Sequence, residues 1–164
     1  MTAIAQALEA FRPVIADRYA KQVRYSFNQM VERLGPSLKG VYNSWDFARS
    51  WSATVGRYVD FKDGIAAINE DRLAQGAAEY AEAASQEWLT KFQSKLGDVE
   101  FAEVRNRRGA LFVIVGRRNG HSVAIEQDMI VKSSTKGKLF NQFPSRIYVD
   151  GYFTSEKKYH AMFR

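Results

Sequence analysis

ALFVIVGRRNGHSVAIEQDMIV, residues Ala110–Val131, decides how this chain folds. Two apolar runs rich in valine and isoleucine flank Asn119-Gly120. Both turn residues accept positive φ, so the pair favours a two-residue type I′ hairpin turn. That turn length fixes the pairing. Arg118 faces His121, Gly116 faces Val123, Ile114 faces Ile125 and Phe112 faces Gln127. Alternation then gathers Phe112, Ile114, Val123, Ile125 and Met129 on one face, which should pack on helices. Leu111, Val113, Val115, Ala124, Glu126, Asp128 and Ile130 share the other. That second face is too apolar to stand fully wet, so the C-terminal segment, another chain or a partner must cover it.

Upstream of this hairpin a further strand is expected over Val99–Asn106, and before Gly97 the pattern is helical. Thr2 can cap a short helix through Arg12, and Pro13 can open a second, since proline is tolerated in a first turn. Tyr19, Val23, Phe27, Met30/Val31 and Leu34 then recur at helical steps, with Arg18, Lys21, Gln22, Asn28 and Gln29 on the far side. Gly35-Pro36 stops that helix. Ser44 can cap a third, with Trp45, Ala48, Trp51, Val55 and Tyr58/Val59 facing inward. The fourth starts near Gly64 or Asn69 and runs to Leu96 on a stripe of Leu73, Ala77, Tyr80, Ala84, Trp88 and Phe92. Gly97 is its C-cap.

Downstream, Lys132–Arg146 holds four cations and no acid. Pro144 keeps that stretch out of a central strand. Phe140 and Phe143 should anchor it to the core. A short strand, Arg146–Val149, meets Asp150-Gly151, a second hairpin turn, and then Tyr152-Phe153. Thr154 or Ser155 caps a last helix, Glu156–Phe163, with Tyr159, Met162 and Phe163 on its apolar side. The expectation is an α+β protein of one domain, residues 1–164. A helical half, 1–97, of three to four helices packs on a β-rich antiparallel half, 98–164, with a short terminal helix.

Hydrophobic residues are 46% of the 164 and aromatics 13%, enough for a real core. The absence of cysteine removes disulfides and thiolate zinc sites. No apolar run is long enough for a transmembrane helix, and the N-terminus lacks the basic region of a signal peptide, so a cytoplasmic protein is expected. The net charge of +6 is unevenly spread. Residues 1–98 hold 12 Lys+Arg and 12 Asp+Glu, whereas 99–164 hold 12 and 6. The whole excess therefore lies in the β-rich half, which points to an anionic partner there.

The candidate chemistries narrow quickly. The only histidines are His121 and His160, too few for a histidine metal centre, and no cofactor or metal is expected. Glu126 and Asp128 share one strand face and, with Glu103 and Arg105, resemble part of a metal-dependent nuclease site. The lysine such sites usually carry two residues beyond the glutamate is missing. Cross-strand pairing with an arginine competes with that reading. The Walker spacing is absent around Lys136-Gly137-Lys138, which excludes a nucleotide-hydrolysing loop of that kind but leaves contact with a phosphate backbone open. Cations interleaved with aromatics suit single-stranded nucleic acid. Arg117, Arg118, Lys136, Lys138, Arg146, Lys157, Lys158, Tyr148 and Tyr152 are the residues expected to meet a nucleic acid or other partner.

One resemblance lies in Asp128–Phe163. Lys136-Gly137-Lys138-Leu139-Phe140, Gln142-Phe143-Pro144-Ser145-Arg146, Val149-Asp150-Gly151 and the helix opening at Ser155-Glu156 carry it. Together they resemble the C-terminal end of small proteins of bacteriophages and other mobile elements. The resemblance brings no catalytic residues with it. It implies a non-enzymatic role: contact with nucleic acid or a host nucleoprotein complex, for example as an anti-CRISPR type inhibitor of host defence. A virion component assembling as a homo-oligomer is the alternative.

Overall fold

The structure, a computed structural model, describes residues 1–34, 53–63, 65–107, 111–131, 140–142 and 146–164. It is an α+β protein, with long helices toward the N-terminus and an antiparallel sheet toward the C-terminus. In chain order the described elements are α1 (Ala3–Leu34), α2 (Ala53–Gly56), β1 (Val59–Lys62), β2 (Ile65–Ile68) and α3 (Glu70–Leu96). There follow β3 (Phe101–Asn106), β4 (Leu111–Arg118), β5 (His121–Val131), β6 (Phe140–Gln142), β7 (Arg146–Val149), β8 (Tyr152–Thr154) and α4 (Glu156–Met162).

The large sheet runs β3-β4-β5-β7-β8, with β6 also paired to β5. The expected register holds: Phe112 pairs with Gln127, Ile114 with Ile125, Gly116 with Val123 and Arg118 with His121. Asn119 and Gly120 take φ of 50° and 81°, as a type I′ turn requires. Asp150 and Gly151 repeat the geometry at 51° and 85°, which sets Val149 against Tyr152 and Tyr148 against Phe153.

Residues of the chain gather into two compact units. The first comprises Met1–Arg12, Glu82–Ile130 and Asn141–Arg164. Its core forms where the inner sheet face meets helical residues. Phe112 is fully buried, and its ring lies 5.0 Å from Trp88, 5.6 Å from Phe11 and 6.2 Å from Phe92. Ile4, Leu8, Leu96, Ile114, Val123, Ile125 and Tyr159 complete this core. Gln127 is buried among them and stays hydrogen-bonded, since its Oε1 accepts from Lys91 Nζ at 2.8 Å. Burial and the nearby Lys95 hold the Lys91 ammonium below its usual pKa range.

The last turn of α3 is closed from three directions. Gly97 has φ of 72°, the left-handed conformation of a helix C-cap, and its N–H donates to the Gln93 carbonyl. The Leu96 carbonyl accepts from Tyr159 Oη and from Arg118 Nη1, each at 2.6 Å. Orphan carbonyls at a helix end need such donors, and a cation there is also favoured by the helix dipole. The Arg118 guanidinium lies 5.0 Å from the Phe163 ring centroid, so it ties α4 to the same junction. Ser155 is the N-cap of α4, accepting from the Lys158 backbone N–H at 3.1 Å.

The second unit comprises Pro13–Ala81 and Val131–Phe140. Ile15, Tyr19, Val23, Phe27 and Met30 of α1 are buried there, as are Leu73, Ala77 and Ala81 of α3. Tyr19 stacks on Tyr80 with ring centroids 4.5 Å apart and shares a 3.0 Å hydrogen bond with the Tyr58 hydroxyl. Burial, then that bond, pushes the Tyr19 hydroxyl well above its usual pKa range. Asn69 caps α3, its Oδ1 accepting from the Arg72 N–H.

Three expectations are corrected. Pro13 does not begin a second helix but sits inside one 32-residue helix. Its ring removes one backbone bond and crowds the Glu9 carbonyl, a cost offset by the burial of Phe11 and Ile15 in the flanking turns. The third helix does not reach Tyr58/Val59. Among the described residues it is the four-residue α2, and Val59–Lys62 pairs with Ile65–Ile68 as a hairpin. Asp63, at φ of 54°, turns it. Met162 is 47% exposed rather than apolar-side core of α4, where it is the last helical residue and Tyr159 alone is buried. Ser44, Trp45, Ala48, Trp51, Gly35-Pro36, Phe143 and Pro144 lie outside the described residues.

Phe112→Ala should lower the unfolding free energy by about 3–5 kcal/mol, the cost of an aromatic cavity in a core. The exposed Phe153→Ala should change it by no more than about 0.5 kcal/mol. Urea denaturation followed by tryptophan fluorescence measures both.

Candidate functional site

Register places three rows of side chains on the sheet face turned away from Phe112. Phe101, Arg117 and Ser122 form the first row. Glu103, Val115, Ala124, Tyr148 and Phe153 form the second. Arg105, Val113, Glu126 and Arg146 form the third. Directly paired positions share a face, so these rows follow from backbone pairing alone.

The rows differ in exposure. Phe101 is 55% and Phe153 66% exposed, with Val115, Ala124 and Tyr148 half-buried between them. Tyr148 meets Phe153 edge to face at 6.1 Å, which holds the Phe153 ring on the sheet edge. In the third row Val113 and Glu126 are buried. Glu126 Oε1 accepts from Arg146 at 3.4 Å and Oε2 from Arg107 at 3.5 Å. Arg105 bonds Glu103 at 3.1 Å. Arg117 makes no ion pair among the described residues. A groove of about 530 Å³ runs beside it, lined by Glu100, Phe101, Arg105, Val115, Arg117 and Ser122.

The residues singled out in the sequence are thus dispersed. Arg117, Arg146 and Tyr148 come together on this outer face. Arg118, one residue from Arg117, faces inward, and its guanidinium is engaged by Leu96, Phe163 and the Tyr159 hydroxyl. Tyr152 is 78% exposed on edge strand β8, paired with Val149 and so on the opposite alternation from Tyr148. Lys157 and Lys158 are exposed on α4. Lys136 and Lys138 lie outside the described residues, as does most of the Lys132–Arg146 connection.

Glu126 is held by two arginines, the cross-strand pairing weighed against a nuclease carboxylate. Among the described residues no group of three or more histidine, aspartate or glutamate side chains is placed to hold a metal ion. No helix among them is long and apolar enough to cross a membrane. A scan of protein-family models, a search of curated proteins and a search of solved structures each find no match. The site therefore has to be read from its own chemistry.

Two aromatics escaped the sequence reading. Phe153 was legible, since the Asp150-Gly151 turn fixes it opposite Tyr148 just as Asn119-Gly120 fixes β4 against β5. Phe101 was not, because the β3–β4 connection around Arg107 carries no turn signal that sets a register.

Asp150 fastens the two turns together. Its Oδ2 lies 2.7 Å from His121 Nδ1, and its Oδ1 accepts from the Ser122 N–H at 3.0 Å. The His121 bond first, then the Ser122 N–H, lowers the Asp150 pKa below its ordinary value of 3.8. A carboxylate depressed in the folded state stabilises the fold above its unfolded pKa. That contribution fades as pH falls through the lower folded value. Asp150→Asn keeps a residue suited to positive φ and removes the charge together with one of the two acceptor oxygens. Its unfolding midpoint should therefore fall relative to wild type at neutral pH. The gap should narrow as the pH drops below about 4, as thermal melts across pH would show.

Proposed function

We propose that this chain is a nucleic-acid-binding protein without enzymatic activity, and that the outer face of its sheet makes the contact. The observation that carries this reading is the exposed Arg117 between Phe101 and Ser122, beside the groove and on the same sheet face as the Tyr148–Phe153 pair. Its guanidinium, without an ion pair among the described residues, offers a phosphate a charge-assisted, bidentate partner. The cationic excess of residues 99–164 adds a long-range attraction for a polyanion. Arg118 takes a supporting part, fixing the strand end from which Arg117 projects. The resemblance of Asp128–Phe163 to bacteriophage and mobile-element proteins supports a setting in the host cytoplasm. The target there would be a nucleoprotein complex of host defence, inhibited in the anti-CRISPR manner.

The exposed Tyr152 and Phe153 on edge strand β8 favour a second reading, a structural subunit whose copies cover one another's edges. A stable oligomer by light scattering, with no affinity for DNA or RNA, would decide for that reading.

Fluorescence anisotropy with labelled DNA at increasing salt tests the first reading. Affinity should fall linearly in log–log form, and Arg117→Ala should reduce the slope by about 1. Binding that is equal at low and high salt would overturn the proposal.

A further inference from the structure

We propose that the outer sheet face selects single-stranded over double-stranded nucleic acid, by stacking unpaired bases on Phe153 and Phe101. This rests on the nucleic-acid reading above and adds the class of strand. The two rings are more than half exposed, while Phe112 on the inner face is fully buried. Phe101 lies on β3 and Phe153 on β8, at opposite margins of the order β3-β4-β5-β7-β8. Four interstrand steps separate them, about 19 Å at the usual strand spacing. That span suits a short run of nucleotides, at the small end of the ~4–16 that single-strand sites cover.

Between the two rings the surface is low. Val115 and Ala124 are small or short side chains in the row that ends at Tyr148 and Phe153. A low floor with aromatic margins admits splayed bases, whose faces are hidden inside a duplex. The cation at this floor is Arg117, in register with Phe101. Its place one row from Val115 puts a phosphate partner beside the bases rather than beneath them. Among the described residues Glu103 pairs with Arg105 and Glu126 with Arg107 and Arg146, while Glu100, which lines the groove beside Arg117, accepts from the Asn119 N–H. Among the described residues Arg117 is the cation of this floor that no carboxylate pairs, and the phenylalanines supply the stacking capacity. A duplex could meet the arginine but has no use for the rings. Stacking is indifferent to base identity, so the preference is for strandedness and not for sequence.

The probes are fluorescent oligo(dT) and the same strand annealed to oligo(dA), titrated with the full chain. Tighter binding of oligo(dT), weakened about tenfold by Phe153→Ala or Phe101→Ala and restored by Phe153→Tyr, is the expected result. Crosslinking of wild type to oligonucleotide carrying 4-thiothymidine should label Phe101, Tyr148 or Phe153, and requires no variant to fold. Equal, salt-dependent binding of both probes, unaffected by the phenylalanine variants, would overturn this inference and leave the nucleic-acid reading standing. Failure to bind either probe at low salt would overturn both. A dimer that dissociates on Phe153→Ala, with no crosslink to these rings, would assign the face to a second copy and also overturn the inference.

Discussion

A β-sheet assigns its side chains to faces by parity, so a slip of one residue exchanges core and surface. In this chain such a slip would place Phe112 in water and Arg117 among Trp88, Phe92 and Phe11. The two-residue turn at Asn119-Gly120 forbids it. Its positive φ values close the hairpin with Arg118 opposite His121, and every other pair follows. Asp150-Gly151 applies the same constraint to β7 and β8. The side chain of Asp150 then ties the second turn to the start of β5 through His121 and Ser122. Local turn chemistry and core burial thus agree on one register, a consistency expected of sequences that specify a single fold.

The dipeptide Arg117-Arg118 shows what that parity does to identical side chains. Arg117 projects outward and has no ion-pair partner among the described residues. Arg118 projects inward and donates to the Leu96 carbonyl, where the Tyr159 hydroxyl arrives as well. A helix end that would otherwise leave an unsatisfied acceptor becomes the junction of α3, β4 and α4. The same position demands glycine next in the chain. Residue 97 needs a left-handed backbone, and a Cβ there would collide with the Arg118 guanidinium.

Much of this was legible from the chain itself, for identifiable reasons. The stripes Tyr19–Val23–Phe27–Met30 and Leu73–Ala77–Ala84–Trp88–Phe92 are buried as their period requires. Strands flanking two-residue turns could be aligned residue by residue. The β1–β2 hairpin was missed although Asp63-Gly64 carries the same kind of turn signal. Val55, Tyr58 and Val59 also fit a helical stripe, and short apolar runs do not separate the two periods. Pro13 was read by its local rule, which packing overrode. On the candidate face, the Arg117–Tyr148 grouping followed once β5 was known to lie between β4 and β7. The partnership of β5 with β7 is a long-range choice that no local signal announces. The inward fate of Arg118 depended on where α4 returns, which is equally non-local.

Glu126 gives the outer face a property of its own. This buried carboxylate is shared by Arg107 and Arg146, each half or more exposed, and offsets one of their two charges. A mobile counterion is released when phosphate binds, but a tethered one is not. Any phosphate reaching Arg146 must compete with an anion that belongs to the protein and cannot diffuse away. The gain from such a contact is an exchange of one carboxylate for one phosphate, small in free energy and nearly blind to salt. Cations on this surface therefore fall into two kinds, those whose counterions are in the solvent and those whose counterions are in the sequence. Counting arginines overstates the charge that a ligand would meet.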